Sequence, residues 1–156
     1  MFDEKELAQN PFSFSLKIQV TKRIDNSKYS LDKDGVMLPV SSLMERQQTT
    51  KIYHGKPLMD IIMQLNDRDL RLFTYIVYML EQNKDYIQIT PATYLKRTGT
   101  KDKRTYKAAI NSLIRYNIIA ATGFDNVYWI NPNILFSGNR IAKYPDNIEI
   151  KGEYSV

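Results

Sequence analysis

Two helical patterns lie almost end to end in "TPATYLKRTGTKDKRTYKAAINSLIRYN", residues 90–117, separated only by Gly99 and Thr100. Thr90 and Pro91 have the residue types of an N-cap and a first helical position. Gly99 is a natural stop, and Thr100 is expected to cap the second helix. Two short helices joined so tightly must cross at an angle and share a core, which leaves few folds open. The flanking segments narrow the choice further. Upstream, Asn66 predicts a cap, with Asp67 and Asp69 in the first turn of a helix running to about Gln82. Its buried stripe would be Leu70, Phe73, Ile76, Val77 and Leu80, leaving Tyr75 and Tyr78 at the core or its rim. "DYIQIT", residues 85–90, reads as a short strand. Downstream, "IIAAT" and "NVYWI" flank "GFDN" and predict a β-hairpin. Helix, short strand, short helix, tight turn, long helix, hairpin is the order of a winged helix-turn-helix, whose second paired helix enters a DNA groove.

The segment before it has a different texture. "FSFSLKIQV", residues 12–20, alternates apolar and polar residues strictly and predicts a half-buried strand. A turn at Lys33-Asp34-Gly35, a short strand ending at Pro39 and a further strand in "TTKIYHG" would complete a small antiparallel element. Pro57 then opens a helical stretch, with Leu58, Ile61, Ile62 and Leu65 at helical spacing. The expected class is α+β: a β-rich extension over 1–55 for docking or oligomerisation, a winged helix-turn-helix over 56–140, and a tail over 141–156.

Charge is concentrated in one place. Residues 94–116 carry seven Lys and Arg against one acid, Asp102, whereas the whole chain has a net charge of only +5. The remainder is therefore close to neutral, and a localised basic segment is the electrostatic footprint of a nucleic-acid contact. On a helical wheel, Tyr106, Ala109, Ile110, Leu113 and Ile114 form one stripe. Arg104, Ala108, Asn111 and Arg115 lie roughly opposite, beside Lys103 and Lys107. Two lysines at i, i+4 repel weakly, so the arrangement stabilises a helix only near a polyanion. Lys101, Lys103, Lys107 and Arg115 suit phosphates, while Arg104 and Asn111 have the chemistry to read guanine and adenine edges. Thr98, Thr100 and the amides at the helix start are further candidate phosphate ligands.

Other chemistry finds little footing. There is no cysteine, and His54 is the only histidine, read as a surface or turn residue. Neither a histidine-paired metal site nor thiolate chemistry is available, and no phosphate-binding glycine loop is present. The expectation is a non-enzyme with no catalytic residues, cofactor, metal or small-molecule substrate. No apolar run approaches the roughly 20 residues that span a bilayer, and the acidic start "MFDEKELAQN" is unlike a signal peptide. A cytoplasmic protein with no membrane partner is expected.

Two pieces of the chain carry a family resemblance. "TYLKRTGTKDKRTYKAAINSLIRYNII" and "VYWINPNILFSGNR" make the span from about Asp67 to Arg140 similar to the winged-helix plasmid replication proteins of the RepL type. The resemblance implies a DNA-binding replication initiator of a plasmid or phage-like element, with double-stranded DNA as partner; winged helices often bind as dimers, and the N-terminal strands would supply the contact of a homo-oligomer. It also gives "VYWINPNILF" a structural role. Asn131-Pro132 would end the second wing strand, and Ile134-Leu135-Phe136 would tuck under the core as a helical turn or an extended plug closed by Gly138. Trp129 is expected to be buried against the helix containing Leu113. Between Arg115 and Arg140 the only charged residue is Asp125, whereas a wing in the minor groove usually brings Arg or Lys. That favours a second reading, a structural subunit of a larger assembly such as a phage particle, in which the winged helix is a packing module. There "IEIKGEYSV" would add a strand to a neighbour, and the location would be the virion.

Overall fold

The computed structural model describes residues 11–45 and 48–154; the acidic start and the last two residues of the tail lie outside them. The chain divides into two compact units between Gln48 and Thr49. Its class is mixed α+β, with five α-helices and three small antiparallel sheets among the described residues. None of those helices is long and apolar enough to cross a membrane.

The first unit is a hairpin of β1 (Val20–Leu31) and β2 (Met37–Glu45). Its turn falls where Lys33-Asp34-Gly35 predicted it. The Asp32 carboxylate accepts from the Asp34 and Val36 amides at 2.9 and 2.8 Å, and Gly35 takes φ +77°. The strand predicted at 12–20 does not form. Pro11–Ser15 is a 3-10 turn, and β1 begins only at Val20. Alternation supplies a face but no ladder partner, and pairing with β2 starts at Val20 opposite Glu45. The expectation for Phe12 and Phe14 concerns side chains outside those described. Nor does β2 end at Pro39. The proline stands opposite Tyr29, beside a register shift in β1 between Asp25 and Tyr29 that accommodates its missing donor.

In the second unit, α1 (Lys56–Ile62) and α2 (Asp67–Met79) precede β4 (Tyr86–Gln88), α3 (Pro91–Thr98) and α4 (Lys103–Arg115). A hairpin of β5 (Ile119–Ala121) and β6 (Val127–Ile130) follows, and β6 pairs with both β5 and β4 to give the sheet order β4-β6-β5. Asn66 caps α2 in a reciprocal box with Asp69, as its residue type predicted. The α2 stripe gains a member that the sequence pattern missed: Leu72 is fully buried.

The far end of α4 explains the Asn-Pro segment. Asn117 is left-handed at φ +57°, and the Ile118 amide reaches back to Leu113 O at 3.0 Å. This closes the helix with Ile118 and Leu113 both buried. Asn131 then clamps onto that end, its amide bonding Ile118 O at 3.0 Å and its Nδ2 bonding Asn117 O at 2.7 Å. Its Oδ1 turns the chain at Pro132 by accepting the Asn133 amide at 3.0 Å. Beyond the turn, β7 (Leu135–Phe136) pairs with β3 (Lys51–Ile52). The plug is therefore extended, and residues 51–52 belong to this unit. Ile134 through Ser137 are all buried, and the Ser137 hydroxyl donates to Thr49 O at 2.9 Å.

A short helix, α5 (Arg140–Lys143), follows, and Arg140 lies 3.5 Å over the Tyr53 ring. The Phe136 ring meets Tyr144 edge-on at 6.0 Å, and the Tyr144 hydroxyl donates to Asp85 Oδ2 at 2.8 Å. Burial, then that bond and the Asp85 charge, push the Tyr144 phenol up to about 12. The tail beyond Asn147 is exposed and forms no strand through Tyr154 within the chain.

Candidate nucleic-acid interface

The side chains of α4 sort as the wheel predicted. Tyr106, Ala109, Ile110 and Leu113 are buried, and Ile114 is half-buried. Ser112 is buried as well, at the edge of the stripe. Lys103, Arg104, Lys107, Asn111 and Arg115 are exposed, and Ala108 is half-buried among them. Lys103, Lys107, Asn111 and Arg115 are spaced i, i+4 along one row, with Arg104 beside it.

Aromatic packing fixes how that row is presented. Tyr75 of α2 meets Tyr94 of α3 edge-on at 5.0 Å, and Tyr94 meets Tyr106 of α4 at 5.1 Å. The Tyr106 hydroxyl donates to Ile89 O at 3.2 Å, tying α4 to the end of β4. Burial raises the Tyr106 phenol far above its ordinary range, with Tyr128 adding to the effect. It stays a neutral donor throughout the physiological pH range. The helices are thus locked by three rings, and their basic surface is left to solvent.

The start of α4 differs from expectation. Asp102, not Thr100, is the N-cap, its Oδ1 accepting the Arg104 amide at 2.8 Å. A carboxylate already sits on the positive end of the helix dipole, where a phosphate would have to bind. Thr98 donates its one hydroxyl proton to Tyr94 O at 2.8 Å, so the 2.9 Å contact between Thr98 and Thr100 consumes the Thr100 proton. Neither hydroxyl has a proton left for a phosphate, and both threonines are half-buried. Their hydroxyls staple the turn around Gly99, which is left-handed at φ +69°.

Lys101, Lys103, Arg104, Lys107, Asn111 and Arg115 remain. The ion pairs among the described residues join Arg68 to Asp69, Lys84 to Glu81 and Lys151 to Glu149. None involves these side chains, so none of their charges is neutralised by an ion pair among the described residues. Arg115 rests 5.3 Å over the Tyr116 ring. Sequence reasoning passed over an open groove of about 660 Å³ beside the α3–α4 turn, lined by Arg71, Tyr75, Tyr78 and Thr98 among others. The signal was available, because positions 71, 75 and 78 of α2 share one helical face. Lys96 and Arg97, counted in the basic segment but not chosen as ligands, are also exposed at the end of α3.

Trp129 is not buried against α4. It is 48 % exposed on the outer face of the β4-β6-β5 sheet, edge-on to Tyr86 at 6.4 Å. Strand alternation allows only one of Trp129 and Ile130 to point inward, and Ile130 does, at 3 % exposure. Trp129→Ala is therefore expected to cost about 2 kcal/mol, from burial of only half the side chain plus one aromatic pair. The roughly 3–5 kcal/mol of a buried aromatic is not expected. Urea unfolding followed by circular dichroism measures this, and iodide should quench the wild-type fluorescence readily. No family model, no curated protein and no solved structure matches the chain.

Proposed function

We propose that residues 66–136 form a winged helix-turn-helix and that α4 binds double-stranded DNA through the row Lys103, Lys107, Asn111 and Arg115 with Arg104. The carrying observation is that this row is exposed, in no ion pair among the described residues, and opposite the core stripe of the same helix. The element order and the sheet order β4-β6-β5 support the fold assignment. With its carboxylate cap, the helix start is left out of the contact. Lys103, Lys107 and Arg115, with Lys101 nearby, would neutralise phosphates and release counterions. Arg104 and Asn111 would reach base edges. The resemblance of residues 67–140 to RepL-type proteins extends the proposal to initiation of replication at a plasmid-like or phage-like origin, in the cytoplasm and without catalysis by this chain.

Selection of bound duplexes from a random pool, repeated with Arg104→Ala and Asn111→Ala, tests the base-reading role. Each variant should lose preference at one base-pair position, by roughly 1–3 kcal/mol, while keeping its affinity for bulk duplex. A preference unchanged in both variants would remove these residues from base reading.

A second reading rests on the wing. Tyr86, Phe124 and Trp129 are exposed there at 42 %, 77 % and 48 %, with no basic residue in the β5–β6 hairpin. An apolar wing whose only charge is the acid Asp125 suits a protein surface better than a phosphate backbone. On that reading the unit is a packing module in a larger assembly, such as a phage particle.

A further inference from the structure

One face of the β1–β2 hairpin is largely apolar. Directly paired residues lie on the same side of a ladder. By the observed register, Val20, Ile24, Tyr29 and Leu31 of β1 therefore share a side with Met37 and Leu43 of β2. These six are 41–70 % exposed, and Lys22 is the only charged side chain described among them. The other side carries Thr21, Arg23, Asp25, Ser30 and Ser42 together with two exposed apolar residues, Leu38 and Val40, and is the more polar of the two. A two-stranded hairpin is marginal in water by itself, and this one leaves its apolar side bare.

We propose that this face packs against the same face of a second copy of the chain, as a two-layer sandwich of four strands. Three observations select that occupant. First, the edges are blunted while the face is not: β1 has its register shift after Asp25, and β2 has Pro39 at the matching position. Both are devices that discourage edge-to-edge addition of a strand, so the contact falls to the face. Second, the area suffices. At those exposures the six side chains offer roughly 600 Å², so two copies would bury roughly 1,200 Å², the lower bound of specific interfaces. Third, a nucleic acid or an anionic membrane surface would call for several cations on the face, and it has one. A surface that is apolar and close to neutral can meet itself across a twofold axis without repulsion. The inference is independent of what α4 binds.

Sedimentation velocity on the full chain, over a hundredfold range of concentration, tests it. The wild type should dimerise, and Ile24→Lys with Leu43→Lys should weaken the dimer by at least about 100-fold. The opposite-face pair Thr21→Lys and Ser42→Lys should leave it intact. Trp129 lies in the other unit and reports whether that unit stays folded. Should the charged variant lose its hairpin, thiol cross-linking decides independently, because the chain has no native cysteine. Ser41→Cys lies on the apolar face and Ser42→Cys on the polar one. A short bis-maleimide should join two copies at 41 and not at 42. A wild type that is monomeric throughout, a dimer indifferent to Ile24→Lys with Leu43→Lys, or equal cross-linking at both positions would each overturn the proposal. A monomer whose thiol at 41 resists alkylation would overturn it too, because the chain would then cover the face itself.

Discussion

Phe136→Ala should destabilise the second unit by about 3–5 kcal/mol, a large share of the 5–15 kcal/mol that holds a typical domain together. Phe136 is fully buried, and its backbone is fixed by pairing with Lys51. Its ring packs edge-on against Tyr144, whose hydroxyl is anchored on Asp85. Leu135 and Ser137 on either side are also fully buried. With its walls held by a ladder and by hydrogen bonds, the cavity left by the ring cannot easily collapse, which places the cost toward the upper end. Urea titration monitored by Trp129 fluorescence measures it. A loss under about 1 kcal/mol would mean that the extended plug does not close the core.

Gly138→Ala should cost roughly 2–5 kcal/mol, for two reasons that add. Gly138 takes φ +102°, a conformation that side chains with a Cβ rarely adopt. A Cβ there would also lie 2.9 Å from Asn83 Cγ and 3.0 Å from its backbone nitrogen, and closer still to Oδ1. Asn83 cannot step aside. Its amide donates to Ser137 O at 2.7 Å, and its Oδ1 accepts the Asn139 amide at 2.9 Å. Gly123→Ala is the control, because a Cβ there meets nothing within 4 Å. It should change stability by no more than about 0.5 kcal/mol. Equal melting curves for the two variants would contradict this account of the Gly138 turn.

What was legible in the sequence was local. Thr90 and Asn66 are caps, Gly99 is left-handed, and α4 runs from Lys103 to Arg115 inside the predicted span. These features depend on hydrogen bonds and dihedral angles settled within a few residues. What was missed depended on partners distant in the chain. The alternation in 12–20 could not reveal that the ladder with β2 stops at Val20. "VYWI" is apolar at every position, so its sequence could not say which side faces in, and Trp129 was placed on the wrong one. The sequence predicts Thr100 as the cap of α4, but which side chain reaches the helix amides depends on the turn geometry, and Asp102 does so. Thr100 instead pairs with the Thr98 hydroxyl. The row on α4 was legible because amphipathic periodicity needs only the helix itself.

Duplex affinity as a function of salt bears most directly on the central claim, that the exposed row of α4 meets DNA. Filter binding with random-sequence duplex should show the logarithm of affinity falling linearly with the logarithm of salt concentration. Reversing charge with Lys103→Glu and Lys107→Glu should weaken binding to every sequence and make the slope shallower by about one unit per lost contact. Both variants should still fold, because neither side chain touches the core stripe. A wild type with no salt-dependent affinity for any duplex would contradict the claim and leave the assembly-subunit reading in its place.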